Sequence, residues 1–245
     1  MRIESLFTPN EIDESLVKGR TVIVIDVLRV CTTIAFAMSS GCERVIPVES
    51  VEAATHLAAS LDKQVTLLGG EKEGKRIDGF NLGNSPLEYT PELVKGKTIV
   101  LATTNGTKAI SRSQGAKQIL ITSFVNMSAV VEYAGKPGSD LLTIVCAGKQ
   151  GRFAMEDAVC AGMLIERLCA DNETELNDGA RAARSLYKLN KQSIPSLLKS
   201  CEHGSYLSSL GFGEDLDVCG TVDSLKILPI VKEGRIDRQQ RARRK

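Results

Sequence analysis

Residues 21–38 read TVIVIDVLRVCTTIAFAM, and this stretch decides how the chain is built. Val22, Ile23, Val24 and Ile25 form an unbroken apolar run, the pattern of a strand covered on both faces. Asp26 follows where such a strand leaves the sheet; Arg29, Thr32 and Thr33 come next, and residues 34–38 continue as a helix. An acid at the carboxyl end of a buried strand, just before a helix, is a common position for a site in α/β proteins. The helix end attracts anions, Asp26 can hold a cation beside them, and Arg29 adds positive charge. A purely structural alternative pairs Asp26 with Arg29 and uses the threonines as helix caps.

The same plan recurs. TIVLATTNGTKAISRSQGAKQILITS (residues 98–123) and LLTIVCAGKQGRFAMEDAVCAGMLIERL (residues 141–168) each run strand, polar turn, helix. Three such units predict a layered α/β fold with a largely parallel or mixed sheet, and their turns should gather along one edge. Further strands are expected at residues 2–6, 45–48 and 65–68, with a last one within 222–231 that ends at Pro229. Residues 51–61 read as a helix, and residues 175–200 as two helical pieces with Pro195 near the start of the second. Residues 201–219, with His203, read as turn-rich. Residues 70–91 are too rich in glycine for a regular element, and Phe80, Leu82 and Leu87 would anchor them as an ordered functional loop. The organisation expected is one compact catalytic domain over residues 1–234, or two closely packed halves. A basic tail at 235–245 is read as a solvated terminus.

Composition narrows the function. At 245 residues with 42% hydrophobic and 25% charged side chains, the chain can bury a real core. A net charge of +1 and 4% aromatics, with no Trp, give no reason to expect nucleic acid. No run is apolar enough to span a bilayer and residues 1–15 resemble no secretion signal, so a cytoplasmic protein is expected. Seven scattered cysteines without a C-x-x-C pair argue against a zinc site or a disulfide framework.

Two turns bind anions on this reading. In the first, Thr103, Thr104 and Thr107 supply hydroxyls, Asn105 an amide and Lys108 a charge, while Gly106 lets backbone N–H groups converge. The second, Cys146 to Arg152, fits C-x5-R, an arrangement that can make a thiolate nucleophile with an arginine on a phosphate. Val145 and Phe153 stand where cysteine phosphatases usually carry His and Ser or Thr. Asp26, Glu71, Glu156 and Asp157 are the acids that can meet beside these turns and hold Mg²⁺, the constellation of metal-assisted phosphoryl transfer. A non-enzymatic binder of anionic metabolites, or a tail that binds RNA, is the competing class; clustered acids argue against a pure anion binder.

The chain resembles the magnesium-dependent 2-phosphosulfolactate phosphatases of coenzyme M biosynthesis. The resemblance rests on IDVLRVCTTI (25–34), GGEKEGKRIDGFNLGNSP (69–86), TTNGTKAI (103–110), CAGKQGRFAMEDAVCAG (146–162) and HGSYLSSLGFGEDLDVC (203–219), with Asp223 beyond. Val30-Cys31 stands where the family usually has Ala-Thr, and Asn81 where Asp is frequent. The resemblance implies a homodimeric α/β enzyme that hydrolyses the small phosphorylated sulfonate (2R)-O-phospho-3-sulfolactate. Asp26 and Arg29 would be the catalytic residues: water attack and carboxylate attack are both open, Asp26 is the residue phosphorylated if a covalent intermediate forms, and Arg29 steadies the phosphate. Thr32, Thr33, the Thr103–Lys108 turn, Arg152 and His203 would surround the substrate.

Overall fold

The computed structural model describes residues 1–136, 138, 140–170 and 173–238. β1 (Arg2–Leu6) is followed by β2 (Thr21–Ile25), α1 (Val30–Ser39), β3 (Arg44–Val48), α2 (Val51–Ala59), β4 (Thr66–Lys72) and β5 (Lys75–Arg76). Next come α3 (Pro91–Val94), β6 (Thr98–Ala102), α4 (Gly106–Arg112), β7 (Gln118–Thr122), α5 (Met127–Ala134), β8 (Leu141–Cys146) and α6 (Met155–Ala170). β9 (Glu175–Leu176), α7 (Asp178–Asn190), α8 (Ile194–Ser200), α9 (Glu202–Ser209) and α10 (Gly213–Cys219) precede the hairpin β10 (Pro229–Lys232) and β11 (Arg235–Arg238).

These strands form one sheet in the order β5-β4-β6-β3-β11-β10-β7-β2-β8-β1-β9. β4, β6 and β3 run parallel, as do β7, β2, β8, β1 and β9. The antiparallel hairpin β10–β11 joins the two parallel blocks. Residues 235–238, expected as solvated tail, are therefore strand β11, and Ile236 is fully buried against the sheet. The rest of the tail, residues 239–245, lies outside the described residues.

Ile23 and Ile25 of β2 face one layer, with apolar residues of α5, α6, α7 and α8. Val22 and Val24 face the other, where α1 and α4 pack. β6 and β2 stand five places apart in the strand order. Strands spaced about 4.8 Å apart would put about 24 Å between them in a flat sheet. Leu101 of β6 and Val24 of β2 both belong to the apolar core that packs on Ile34 of α1, and residues of β3, β11 and β7 fill the layer between them. α1 is buried nearly all round, including Thr32 and Thr33.

Residues 201–219 differ from expectation: they are the helices α9 and α10. Gly204, read as a turn former, instead lets α9 press against α8, since a Cβ there would collide with the Leu198 carbonyl oxygen. In residues 70–91, β4 runs on to Lys72, and Glu73 and Gly74, both left-handed, make the two-residue turn into β5. Phe80 and Leu82 are buried anchors, but Leu87 is exposed. Pro229 starts the final hairpin rather than ending a strand.

Candidate active site

The carboxyl ends of β2, β4, β6 and β8 surround a cavity of about 250 Å³. Asp26, Arg29, Glu71, Gly74, Asn84, Thr103, Thr104, Asn105, Lys149 and His203 line it, together with Tyr206 and Leu207 of α9. The turns lock to one another. Asn105 Oδ1 accepts from the Gln150 amide (3.0 Å), and Asp157 accepts from Val27 N (2.9 Å) and Gly148 N (3.0 Å).

Asp26 is the buried acid at the centre. Its Oδ1 accepts from Val30 N at 3.2 Å, which satisfies a free amide at the start of α1. A Cβ on Gly106 would lie 2.7 Å from Asp26 Oδ2 and closer still to Val30, so only glycine lets α4 begin there. Burial pushes the Asp26 pKa up to about 7. His203 works to lower it, as does the Val30 bond, while Glu156 and Glu71 add to the rise. Burial likewise holds the Asp157 carboxyl well above the usual range, reinforced by Asp26 and Glu156.

Arg29 does not pair with Asp26. Its guanidinium donates to Asp215 Oδ2 (2.6 Å) and to the Gly74 carbonyl (2.7 Å), and lies 4.2 Å from the Phe212 ring centre. Ser85 donates to the other Asp215 oxygen at 2.6 Å. Thr33 donates to the Asn84 carbonyl and Thr32 to that of Val27, so both hydroxyls position backbone instead of capping a helix or facing the cavity. Two other polar atoms there lack partners: Thr103 Oγ1 and Asn84 Oδ1 are buried with no hydrogen bond among the described residues. Such atoms cost free energy unless a ligand or water engages them.

A family model described as 2-phosphosulpholactate phosphatase matches residues 6–234. The chain belongs to this family. It is 39% identical over 234 residues to the "Probable 2-phosphosulfolactate phosphatase" of Caldanaerobacter subterraneus, covering 96% of this chain and 97% of the relative. Its identity to the protein of the same name from Thermotoga petrophila is 44% over 220 residues, with coverage of 90% and 92%. The Clostridium acetobutylicum relative, also so named, is 38% identical over 237 residues, covering 96% and 100%. The family is one of phosphoric monoester hydrolases.

Within this 2-phosphosulfolactate phosphatase family member, the sequence-derived residues divide sharply. Asp26, Arg29, Glu71, Thr103, Thr104, Asn105 and His203 line one cavity. Gly106 packs against Asp26 beneath it, and Thr107 donates to the Thr103 carbonyl. Lys108 is exposed and reaches Asn10 at 3.4 Å. Arg152 is exposed on the outside of its turn, and Lys149 from that turn faces the cavity in its place. Lys149 Nζ lies 3.2 Å from Glu202 and 5.0 Å from the Tyr206 ring centre.

The four proposed metal ligands do not converge as a set. Glu71 lines the cavity and also accepts from Gly74 N at 2.6 Å, but Asp157 is spent on two amides and Glu156 on His203. Among the described residues no three His, Cys, Asp or Glu side chains are grouped to hold a metal by themselves. Cys146 is fully buried in the core, where burial drives its pKa well up and Asp157 adds to the rise. That excludes the cysteine-nucleophile alternative, which needs an accessible thiolate. Sequence reading missed Asn84, Ser85, Lys149 and Asp215. Each sits in a stretch already singled out, but none carries a spacing that marks it.

Proposed function

We propose that this protein hydrolyses (2R)-O-phospho-3-sulfolactate to 3-sulfolactate and phosphate with the aid of Mg²⁺. One observation carries the reading: the unpartnered Thr103 Oγ1 and Asn84 Oδ1 share a cavity with the carboxylates of Asp26 and Glu71 and with the Lys149 ammonium. Thr103 and the Asn105 turn would hold the phosphate, and Lys149 an anionic group at the other end of the substrate. The names of the relatives support the choice of substrate.

The donor set fits magnesium. Mg²⁺ favours oxygen ligands and binds through one or two carboxylates plus substrate phosphate, keeping several waters. Asp26, Glu71 and the free Asn84 amide oxygen offer such a partial shell. When bound, the ion would neutralise charge on the phosphate oxygens. Asp26, which lines the cavity at the end of β2, is the carboxylate placed to take the proton of the attacking water. Thr33 fixes Asn84, and Arg29 fixes the Gly74 turn, so the substrate meets a rigid wall.

The test is phosphate release from phosphosulfolactate with Mg²⁺ and with EDTA. Release that requires the ion supports the reading; release unaffected by EDTA removes the metal, and none at all removes the substrate. A cytoplasmic homodimer completes the proposal. All seven cysteines are unpaired, as a reducing compartment favours. No described helix is long and apolar enough to cross a membrane. Light scattering on the purified chain tests the dimer.

A further inference from the structure

We propose that His203, oriented by Glu156, is the general acid that protonates the leaving oxygen of the phosphate ester; the assignment rests on the phosphatase reading above. His203 Nδ1 lies 3.0 Å from Glu156 Oε1. The Glu156 side chain is 2% exposed, at the start of α6, and that of His203 15% exposed, at the start of α9. A buried carboxylate on Nδ1 keeps the proton on that nitrogen and makes Nε2 the exchanging one. Nε2 has no hydrogen-bond partner among the described residues. His203, Tyr206 and Leu207 stand at i, i+3 and i+4, one face of α9, and all three line the cavity with Asp26.

The chemistry needs such a group. The ester oxygen of a phosphorylated hydroxy acid leaves as an alkoxide, a strongly basic product that is expelled slowly unless protonated. Water oxygen forms the new bond to phosphorus as the P–O bond to the substrate carbon's oxygen breaks. The bonding pair stays on that oxygen, which takes the Nε2 proton. Asp26 takes one proton from the attacking water, and exchange with solvent returns both side chains to their starting states. Acid and base thus come from different elements, Asp26 after β2 and His203 on α9.

The decisive measurement compares leaving groups in the full-length enzyme. His203→Gln and Glu156→Gln are assayed on phosphosulfolactate and on 4-nitrophenyl phosphate, whose phenolate leaves without help. His203→Gln should lower kcat on the alkyl ester by about 10²- to 10⁴-fold and much less on the aryl ester. Glu156→Gln should show the same inequality, smaller in size. If the wild type ignores the aryl ester, added imidazole should restore part of the lost kcat of His203→Gly on phosphosulfolactate. Equal losses on both esters, no loss, or no imidazole rescue would overturn the assignment. A wild type that releases no phosphate from either ester overturns the phosphatase reading itself.

Discussion

Arg29 Nη1 lies 2.6 Å from Asp215 Oδ2, an ion pair between residues 186 apart in sequence. Both side chains are almost wholly buried, and Ser85, Gly74 and Phe212 complete the shell. The start of α1, the β4–β5 turn and α10 are thereby tied together behind the cavity. Removing one partner of a buried pair leaves an uncompensated charge, at about 3–5 kcal/mol. Asp215→Ala should lower the unfolding free energy in urea by about that amount. Activity should also fall, because the Gly74 turn loses its anchor. An unchanged urea midpoint would show that the pair is not held in solution.

Asp26→Asn should abolish turnover while leaving the circular dichroism spectrum intact. Its stability carries a second signature. The folded pKa of Asp26 is about 7, raised above the about 3.9 of a free Asp. An acid with a raised folded pKa contributes stability that is complete below the unfolded pKa and lost as pH rises through the folded one. In EDTA, the Tm of Asp26→Asn relative to wild type should therefore climb between about pH 4 and 7 and level off above. A flat difference would show that Asp26 ionises normally.

Cys146→Ala should keep its kcat. The thiol is fully buried among core residues and does not line the cavity, so its loss leaves a small void and costs stability only. Loss of turnover at a temperature where the variant is folded would restore the thiol to the mechanism.

Gly204→Ala tests the close approach of α9 to α8. Alanine gains about 1 kcal/mol of helix propensity over glycine. The new methyl would overlap the Leu198 carbonyl oxygen, and a backbone atom gives way only by moving a helix. Overpacking of about 1–3 kcal/mol should win. Because α9 carries His203, kcat should fall with the melting temperature. A stabilised, fully active variant would contradict the packing.

Ile236→Ala addresses the hairpin that bridges the two parallel blocks. Ile236 is fully buried and pairs with Val45 of β3. Losing its side chain should cost about 2–5 kcal/mol in denaturant unfolding. A negligible change would mean that β11 adds little to the junction.

Much of the fold was legible because periodicity is local. The apolar runs in β2, β6 and β8, each followed by a polar turn and a helix, were enough to predict a parallel α/β sheet with its turns on one edge. Asp26, Thr103 and Asn105, which line the cavity, could be singled out because an acid, a hydroxyl and an amide follow buried strands there, and His203 because histidine is rare in this chain. Residues 235–238 were misread because one isoleucine among charges looks the same in a tail as in a strand. Residues 201–219 were misread because glycine marks turns and close helix contacts alike.

What the sequence determined by itself was the repeated strand, polar turn and helix of β2, β6 and β8 and the polar residues in those turns, since both follow from side-chain order along a few turns or strands. The choice among those residues belongs to the tertiary structure. Only the packing of α4 against α1 brings Gly106 against Asp26, and only the chain's return in α9 and α10 sets His203 on Glu156 and Asp215 on Arg29. The physical reason is that a charge chooses its partner by distance in space and by burial. Arg29 lies three residues from Asp26, yet it binds an acid 186 residues away, where both are shielded from water.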